Sequence, residues 1–408
     1  MNMQTGHSGA ARILMVAPQP FFAPRGAAFC VYQYINALVT LGYGVDLVTY
    51  SIGEDVALPG LTIYRTPALP FVRAVKPGFS LAKFPLDLLL FLTALWRLCR
   101  GRYRYLHTHE EAALIGALLA PLFRCRHLYY MHCDLSQLVG ENPLVVSCVR
   151  AAQALMIRCA DAIVAFYPEC AGKAKKIAPR KSVYVILPAP VDAALSPPSQ
   201  VDVEKLRQQW APNGSPIILY TGTLEKYQGI DLLLRSAALV TEVLPAARYV
   251  IVGGTPEQVE RFRELARQIG VEKHVHFVGQ RPLQEMPCYM ALADVLVSPR
   301  TGGTHTPLKL YTYLRSGRPV LATDILSHTQ VLSPAIAMLA PPTPQGLAQG
   351  TLSLLRDAIR AEELGKRGQH FANEHYSWDV FLEKNRQLSE EFMNTGGSCQ
   401  AFFNDFDE

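Results

Sequence analysis

The chain has 408 residues, half of them apolar and 18% charged, with a formal net charge of +5. That composition excludes a disordered protein, and the length exceeds one comfortable core, so two domains of roughly 180 residues each are expected. The modest positive charge favours anionic partners, while the absence of zinc-finger spacing or an RNA-binding aromatic signature argues against nucleic acid.

The first residues, MNMQTGHSGAARILMVAP, form a polar lead and a short apolar run without the apolar length of a signal peptide. RILMVAP reads as a strand, CVYQYINALVTLGY as a helix and VDLVTY as a second strand. FPLDLLLFLTALWRLCR reads as a helix opened by Pro85, with Thr93, Arg97, Arg100 and Arg104 on one stripe and nearly everything else apolar. Either it is buried with one solvated edge, or it docks on an anionic membrane through both its apolar face and its cations. No segment reaches the roughly 20 apolar residues of a membrane span. YLHTH, HLYYMH and AIVAFYP continue the strand rhythm, and alternation of this kind implies parallel strands with crossover helices.

Four prolines between Pro188 and Pro198 mark a break. Beyond it the rhythm resumes with IILYTG, the helix DLLLRSAALVTEV, ARYVIVGG, the helix PEQVERFRELARQIG, VHFVG, ADVLVSP and PVLAT. A last helix is expected near SWDVFLEKNRQLSEEFM, followed by a short acidic tail expected to be disordered. The nine cysteines are odd in number and lack a CxxC pair, as reduced thiols of a cytoplasmic protein would.

The most informative segment is SPRTGGTHTPLKLYTYLRSGRPVLATD, residues 298–324. Thr306 reads as an N-cap and Pro307 as the first helical residue, with Gly317 closing the helix about three turns later. Lys309 is the odd residue. A cation in the first turn opposes the macrodipole unless an anion shares the free N–H groups there, and a phosphate would serve. Arg300 adds a second cation at the strand end, where open α/β sheets bind ligands, and Thr304, His305 and Thr306 add polar groups on the approach. The plainer alternative is a connecting loop and a core helix with a snorkelling lysine.

This segment resembles the donor-binding region of retaining glycosyltransferases with the GT-B fold, family four, in a bacterial-type branch with TPLK wording. The resemblance runs from Ala11 to about Leu388 and includes YRYLHTHEEAALIGALLA, LYYMHCD, ILPAPVD, ILYTGTLEKYQGIDLLLRSA and VHFVGQRPLQEMPCYMALADVLVSPR. It implies two Rossmann-like domains facing a central cleft. Residues 1–192 would form the acceptor-side domain and 193–375 the nucleotide-sugar domain, with a helix at 376–393 returning to the first domain and a tail at 394–408.

The implied activity is transfer of a hexosyl group, with retention, from a nucleotide-sugar donor to a glycan or lipid-linked acceptor in envelope or polysaccharide assembly. No cofactor and no metal are implied, since helix N-termini and basic side chains can stabilise the leaving diphosphate. The candidate site comprises His132, near the transferred sugar, and Arg25, facing the donor phosphate or an acceptor, as catalytic residues, with Gly26, Gly222, Thr223, Lys226, Arg300, Gly303, Thr304, Thr306, Lys309 and Thr312 binding the donor. His109 and Glu110 read as structural or acceptor-facing.

The sequence departs from the family at four charged positions. Two glutamates fall at Thr304 and Thr312, and the arginine and lysine that grip the diphosphate fall at Thr223 and Gln228. A rearranged site using Lys309, Arg300 and Lys226 is one reading. A catalytically impaired homologue that binds a sugar nucleotide or a partner protein is another, and a sugar-nucleotide epimerase is disfavoured by the order of motifs.

Overall fold

The computed structural model describes residues 12–22, 26–69, 83–137, 139, 142–187, 198–303 and 306–394. Pro24, Arg25, Arg73, the prolines of the break except Pro198, Thr304, His305 and the expected tail beyond 394 lie outside the described residues. The chain forms two compact units, Met1–Ala189 with Phe381–Glu408, and Pro190–Val380.

The first unit contains β1 (Arg12–Ala17), α1 (Gly26–Thr40), β2 (Gly44–Thr49), β3 (Leu61–Arg65), α2 (Phe84–Arg100), β4 (Tyr105–His109), α3 (Ala113–Phe123), β5 (Arg126–Met131), α4 (Pro143–Cys159), β6 (Ala162–Ala165), α5 (Pro168–Ile177) and β7 (Ser182–Val185). Its seven strands are all parallel, in the order β3-β2-β1-β4-β5-β6-β7. The central strands are buried along almost their whole length, which is why they read as continuous apolar runs rather than alternating ones.

The second unit follows with α6 (Gln200–Trp210), β8 (Ile217–Thr221), α7 (Ile230–Val243), β9 (Arg248–Val252), α8 (Pro256–Ile269), β10 (Val275–Gly279), α9 (Met286–Leu292), β11 (Val295–Ser298), α10 (Lys309–Arg315), β12 (Val320–Thr323), α11 (Leu326–Thr329), β13 (Met338–Ala340), α12 (Pro344–Arg356) and α13 (Ala358–Tyr376). Its six parallel strands run β10-β9-β8-β11-β12-β13. In both sheets the strand order reverses beside the first strand of the unit, the crevice where doubly wound folds bind ligands.

The final helix, α14 (Trp378–Asn394), packs on the first sheet. Phe381 meets Tyr34 edge-on at 5.0 Å, the Tyr105 hydroxyl donates to the Met393 carbonyl at 2.9 Å, and the Arg126 guanidinium donates to the Phe392 carbonyl.

One expectation about α2 is corrected by its packing. Arg97 is not on a solvated stripe: its guanidinium donates to Asp46 Oδ2 at 2.9 Å and to the Tyr103 hydroxyl at 2.6 Å, and lies 3.9 Å from the centre of the Tyr64 ring. Asp46, on β2, is 1% exposed and also accepts from Arg12 at 2.6 Å. Burial alone would raise its carboxyl, but the hydrogen bonds from Arg12, Tyr103 and Arg97 prevail and hold it below the usual range. The face that α2 does present outward is apolar, with Phe84, Leu88, Leu92 and Trp96 all exposed.

Candidate functional site

At the carboxyl edge of the second sheet, three consecutive turns interlock through glycine. Gly222, just past β8, donates to the Val252 carbonyl at 2.9 Å, and Gly253 donates to the Gly279 carbonyl at 2.7 Å. Gly253 adopts φ of +119°, and a Cβ there would stand 2.0 Å from the Gly222 carbonyl oxygen, so only glycine fits. Gly229 is equally constrained: its φ is +71° and a Cβ would meet the Pro299 carbonyl at 2.0 Å. The loop after β8 is thereby seated on the loop after β11, and Thr301 N–H donates to the Tyr227 carbonyl at 3.0 Å.

This seating brings two cations together. Arg300 is 8% exposed, with its guanidinium 4.9 Å from the centre of the Tyr227 ring. Gly303, with φ of +93°, leaves room for it, since a Cβ there would come within 2.9 Å of Nη2. Lys309 is half-buried as a residue, with its ammonium at the inner end, 3.8 Å from the centre of the Tyr220 ring and 3.2 Å from Gln228 Oε1. A Cβ on Gly222 would lie 3.2 Å from the same ammonium. Among the described residues Lys309 has no salt-bridge partner. Burial first, and the charge of Arg300 second, push its pKa well below the ordinary lysine value.

The helix that carries Lys309 differs from the expectation. α10 begins at Lys309 with Leu308 at the N-cap position and no side-chain cap, so Thr306 is not the cap and Pro307 is not the first helical residue. The Leu310 N–H bonds the Pro307 carbonyl at 3.0 Å, a tight i to i+3 turn that delays the helix, which runs about two turns rather than three. Thr306 is instead a packed residue, 2% exposed. Gly317, at φ of +73°, ends the segment as expected.

The remaining donor-side candidates divide. Thr223 and Gln228 join the loop, the Tyr220 hydroxyl donating to the Thr223 carbonyl at 2.6 Å. Thr312 is half-buried on α10, and Lys226 is exposed on the turn Lys226–Gln228 without a described contact to Arg300 or Lys309. Arg25 and Thr304 are outside the described residues, and Gly26 is the first residue of α1.

Sequence reading missed the brace beneath Arg300. His328, fully buried, bonds the Thr323 carbonyl through Nδ1 at 2.7 Å and the Ser298 hydroxyl through Nε2 at 2.9 Å. These partners require a proton on Nδ1, which donates to the carbonyl, while Nε2 accepts from serine. The Thr323 hydroxyl in turn donates to the Arg300 carbonyl. Burial above all lowers the His328 pKa to about 4, so the brace stays neutral. Its only sequence signal was an imidazole shortly after an apolar strand.

In the first unit, the ends of β4 and β5 bring His109, Glu110 and His132 into one cluster. His109 Nδ1 lies 2.8 Å from His132 Nε2, and Glu110 Oε1 lies 3.5 Å from His132 Nδ1. His132 stacks on Phe166 with ring centres 4.0 Å apart, and His109 stacks on Tyr130 at 4.5 Å. Burial, then the neighbouring charge of Glu111, lift the Glu110 carboxyl to about 8, against the opposing pull of Lys83. Lys83 itself pairs with Glu111. Both nitrogens of His132, which the resemblance places near the transferred sugar, thus face protein groups.

Two family assignments cover most of the chain: residues 25–189 match the family described as Glycosyl transferase 4-like domain, and residues 202–371 match Glycosyl transferases group 1. A GDP-mannose-dependent alpha-(1-6)-phosphatidylinositol monomannoside mannosyltransferase of Mycolicibacterium smegmatis is 28% identical over 200 residues, covering 47% of this chain and 52% of that protein. The matched stretch therefore spans about half the length of that relative. A phosphatidyl-myo-inositol mannosyltransferase of Mycobacterium leprae is 24% identical over 403 residues, covering 96% and 99% of the two chains. Among solved structures, sucrose-phosphate synthase from Thermosynechococcus elongatus superposes with a TM-score of 0.79 at 20% identity, covering 94% of this chain and 99% of the other. With two parallel Rossmann-like units and both halves matched, the chain belongs to the group 1, family-four-like glycosyltransferases, retaining enzymes with the GT-B fold.

Proposed function

We propose that the chain moves a hexosyl group, with retention of configuration, from a nucleoside diphosphate sugar to a glycan or lipid-linked acceptor in envelope or polysaccharide assembly. The observation that carries this reading is the pair Arg300 and Lys309, where a buried ammonium faces a ring, an amide and a second cation rather than a carboxylate. A diphosphate supplies the missing negative charge. As the bond from the anomeric carbon to the diphosphate oxygen breaks, charge grows on the leaving group, and the two cations stabilise it. Guanosine diphosphate mannose and an inositol lipid are the first donor and acceptor to try, because the relatives named above carry those words.

A lipid-linked acceptor is supported by the outer surface of the first unit. α2, α3 and α4 lie side by side, and each exposes apolar side chains: Phe84, Leu88, Leu92 and Trp96, then Leu118 and Leu122, then Leu144, Val145 and Leu155. Their exposed charged residues are Arg100, Arg150 and Arg158, Arg97 being engaged by Asp46, against the one acid Asp87, whose carboxylate is held by the Tyr50 hydroxyl. An apolar face rimmed by arginines fits an anionic bilayer, and no helix among the described residues is long and apolar enough to cross one. Docking would be peripheral, on the cytoplasmic leaflet.

Calorimetric titration with uridine, guanosine and adenosine diphosphates tests the donor site. One of them should bind, and Lys309→Ala should weaken it at least tenfold, about 1.4 kcal/mol, the scale of a charge-assisted hydrogen bond. No binding by folded wild-type protein would remove the reading. The neutral residues Thr223, Gln228 and Thr312 favour a second one, a binding protein without turnover. Tight donor binding with no release of nucleoside diphosphate on any acceptor pool would select it.

A further inference from the structure

The second unit has a groove at the end of its sheet that the donor site does not use. Its volume is about 590 Å³, inside the range of roughly 300–1,000 Å³ common among small-molecule sites, and it is lined from the end of α6, the second half of α8, the turn that follows and β10. β10 is an edge strand. Successive side chains of a strand point to opposite faces, so a groove lined by Val275, His276 and Phe277 together runs along the edge of the sheet rather than over one face. Glu272 and Lys273 immediately precede β10 and place the groove towards its amino end, whereas Arg300 and Lys309 lie at the carboxyl edge of the same parallel sheet.

The floor is aromatic. Trp210 and His276 pack with ring centres 5.2 Å apart and planes tilted by 45°, and Phe277 is half-buried in the same lining. The Trp210 indole N–H is buried with no hydrogen-bond partner among the described residues, so packing of the ring and not a polar contact holds this side chain in place. Burial, then the charges of Arg248 and His274, lower the His276 pKa, which leaves an imidazole with one N–H and one lone pair at neutral pH. The rim is polar and exposed. Arg263 reaches Glu260 at 3.5 Å, and Arg267 pairs with Glu264 and lies 3.4 Å from Glu272. With Lys273, three cations stand among three carboxylates, so the rim side chains and their partners carry no net charge.

That balance decides the ligand class. An anion would meet guanidinium groups whose charge is already matched. An added β-strand would need the Phe277 carbonyl, which accepts from Arg263 Nη2 at 3.4 Å, and an even register, which is broken between Phe277 and Gly279. An uncharged sugar needs neither. The C–H face of a pyranose is apolar and slightly positive, which suits the negative face of an aromatic ring, and neighbouring hydroxyls both donate and accept, which suits a guanidinium and a carboxylate held side by side. We propose that this groove binds a short run of uncharged oligosaccharide, with Trp210 as the platform for a sugar ring and Arg263, Arg267 and Glu272 bonding its hydroxyls. The assignment stands independently of the donor site and extends the transferase reading by a glycan-holding surface away from the reacting centre.

The chain has three tryptophans, Trp96, Trp210 and Trp378, so nitrogen-15 spectra of full-length protein carry three indole signals, that of Trp210 being assigned by Trp210→Phe. Maltotriose, mannotriose and cellotriose are titrated in turn, with adenosine monophosphate as a planar anionic probe. At least one trisaccharide should shift the Trp210 signal to saturation, while adenosine monophosphate leaves it in place at the same concentrations. Arg263→Ala with Glu272→Ala removes only exposed side chains and should weaken trisaccharide binding at least tenfold, with nucleoside diphosphate affinity unchanged. Trp210→Ala should abolish trisaccharide binding in calorimetry, and the rim variant keeps the test decisive if that protein does not fold. No shift with any of the three sugars, undiminished binding in the rim variant, or tighter binding of adenosine monophosphate at Trp210 overturns the proposal. Trisaccharide binding at Trp210 by protein that binds no nucleoside diphosphate would remove the transferase reading and leave this site standing.

Discussion

At the edge of β8 and β11 the protein holds two cations over tyrosine rings, whereas at the edge of β4 and β5 it holds two imidazoles and a carboxyl, with burial lowering the pKa of His109 and raising that of Glu110. Both sites sit at the carboxyl ends of neighbouring parallel strands, yet burial works in opposite senses. In the second unit it leaves the Lys309 ammonium without a carboxylate among the described residues, so a multivalent anion gains more there than it would at the surface. In the first unit it disfavours charge on His109 and Glu110. The same topology thus prepares one edge to bind an anion and the other to hold polar groups that burial turns towards their neutral forms.

The sharpest way to break the contrast is to dismantle the glycine seating of the cationic edge. Gly253→Val should distort the turn against the Gly222 carbonyl, lower stability by about 2 kcal/mol or more, and abolish nucleoside diphosphate binding. Thermal unfolding with and without ligand measures both effects. A variant that still binds with native affinity would show that these turns do not form the donor site.

Next comes a substitution with opposite effects on binding and on stability. Lys309→Met should weaken nucleoside diphosphate binding by about 1.5 to 3 kcal/mol, yet leave the ligand-free protein as stable or more stable, because it removes a desolvated ammonium. The pH dependence follows from the same shift. A bound diphosphate raises the depressed Lys309 pKa, so binding takes up a proton between the free and bound values and weakens as pH rises through the bound one. Calorimetry in buffers of different ionisation enthalpy detects the uptake in wild type and its absence in Lys309→Met.

The neutral edge predicts its own pH signature. The Glu110 pKa is raised to about 8 from an unfolded value of 4.5, so the stability it contributes is full below about 4.5 and is lost progressively as pH rises towards 8. Wild type should therefore lose more stability than Glu110→Gln between pH 5 and 8, by up to a few kcal/mol. Parallel urea midpoints across that range would contradict it.

The smallest effect belongs to the outer face. Leu88→Ser with Trp96→Ser should change stability by less than about 1 kcal/mol, since both side chains are exposed, while reducing cosedimentation with anionic liposomes at low salt. Unchanged liposome binding would return the acceptor to the soluble glycans.

Much of the fold is legible in the sequence. Apolar runs separated by amphipathic stretches announce two parallel sheets because a buried strand and a half-buried helix have different periods, and Arg300, Gly303 and Lys309 stood out because their chemistry lies within one short segment. What sequence could not supply was partnership across distance. Arg97 is 51 positions from Asp46, and its helical spacing with Arg100 and Arg104 says nothing about a carboxylate on a neighbouring strand. Tyr220 meets Lys309 only because β8 and β11 pair, and His328 braces Arg300 only because β11 and β12 do. The late start of α10 was hidden as well, since Thr-Pro is a good helix opening and only packing of Thr306 and the tight turn at Pro307 delay it.

The ring of partners around Asp46 carries a consequence for how the first unit tolerates change. Arg12, Arg97 and Tyr103 each reach the same carboxylate, so the arrangement is redundant on the donor side and singular on the acceptor side. Loss of one donor leaves two, and its penalty should be graded. Loss of Asp46 strands all three at once. Substitutions should therefore accumulate at 12, 97 and 103 one at a time but not together, and a variant library of this unit should show strong epistasis among those positions while Asp46 stands invariant.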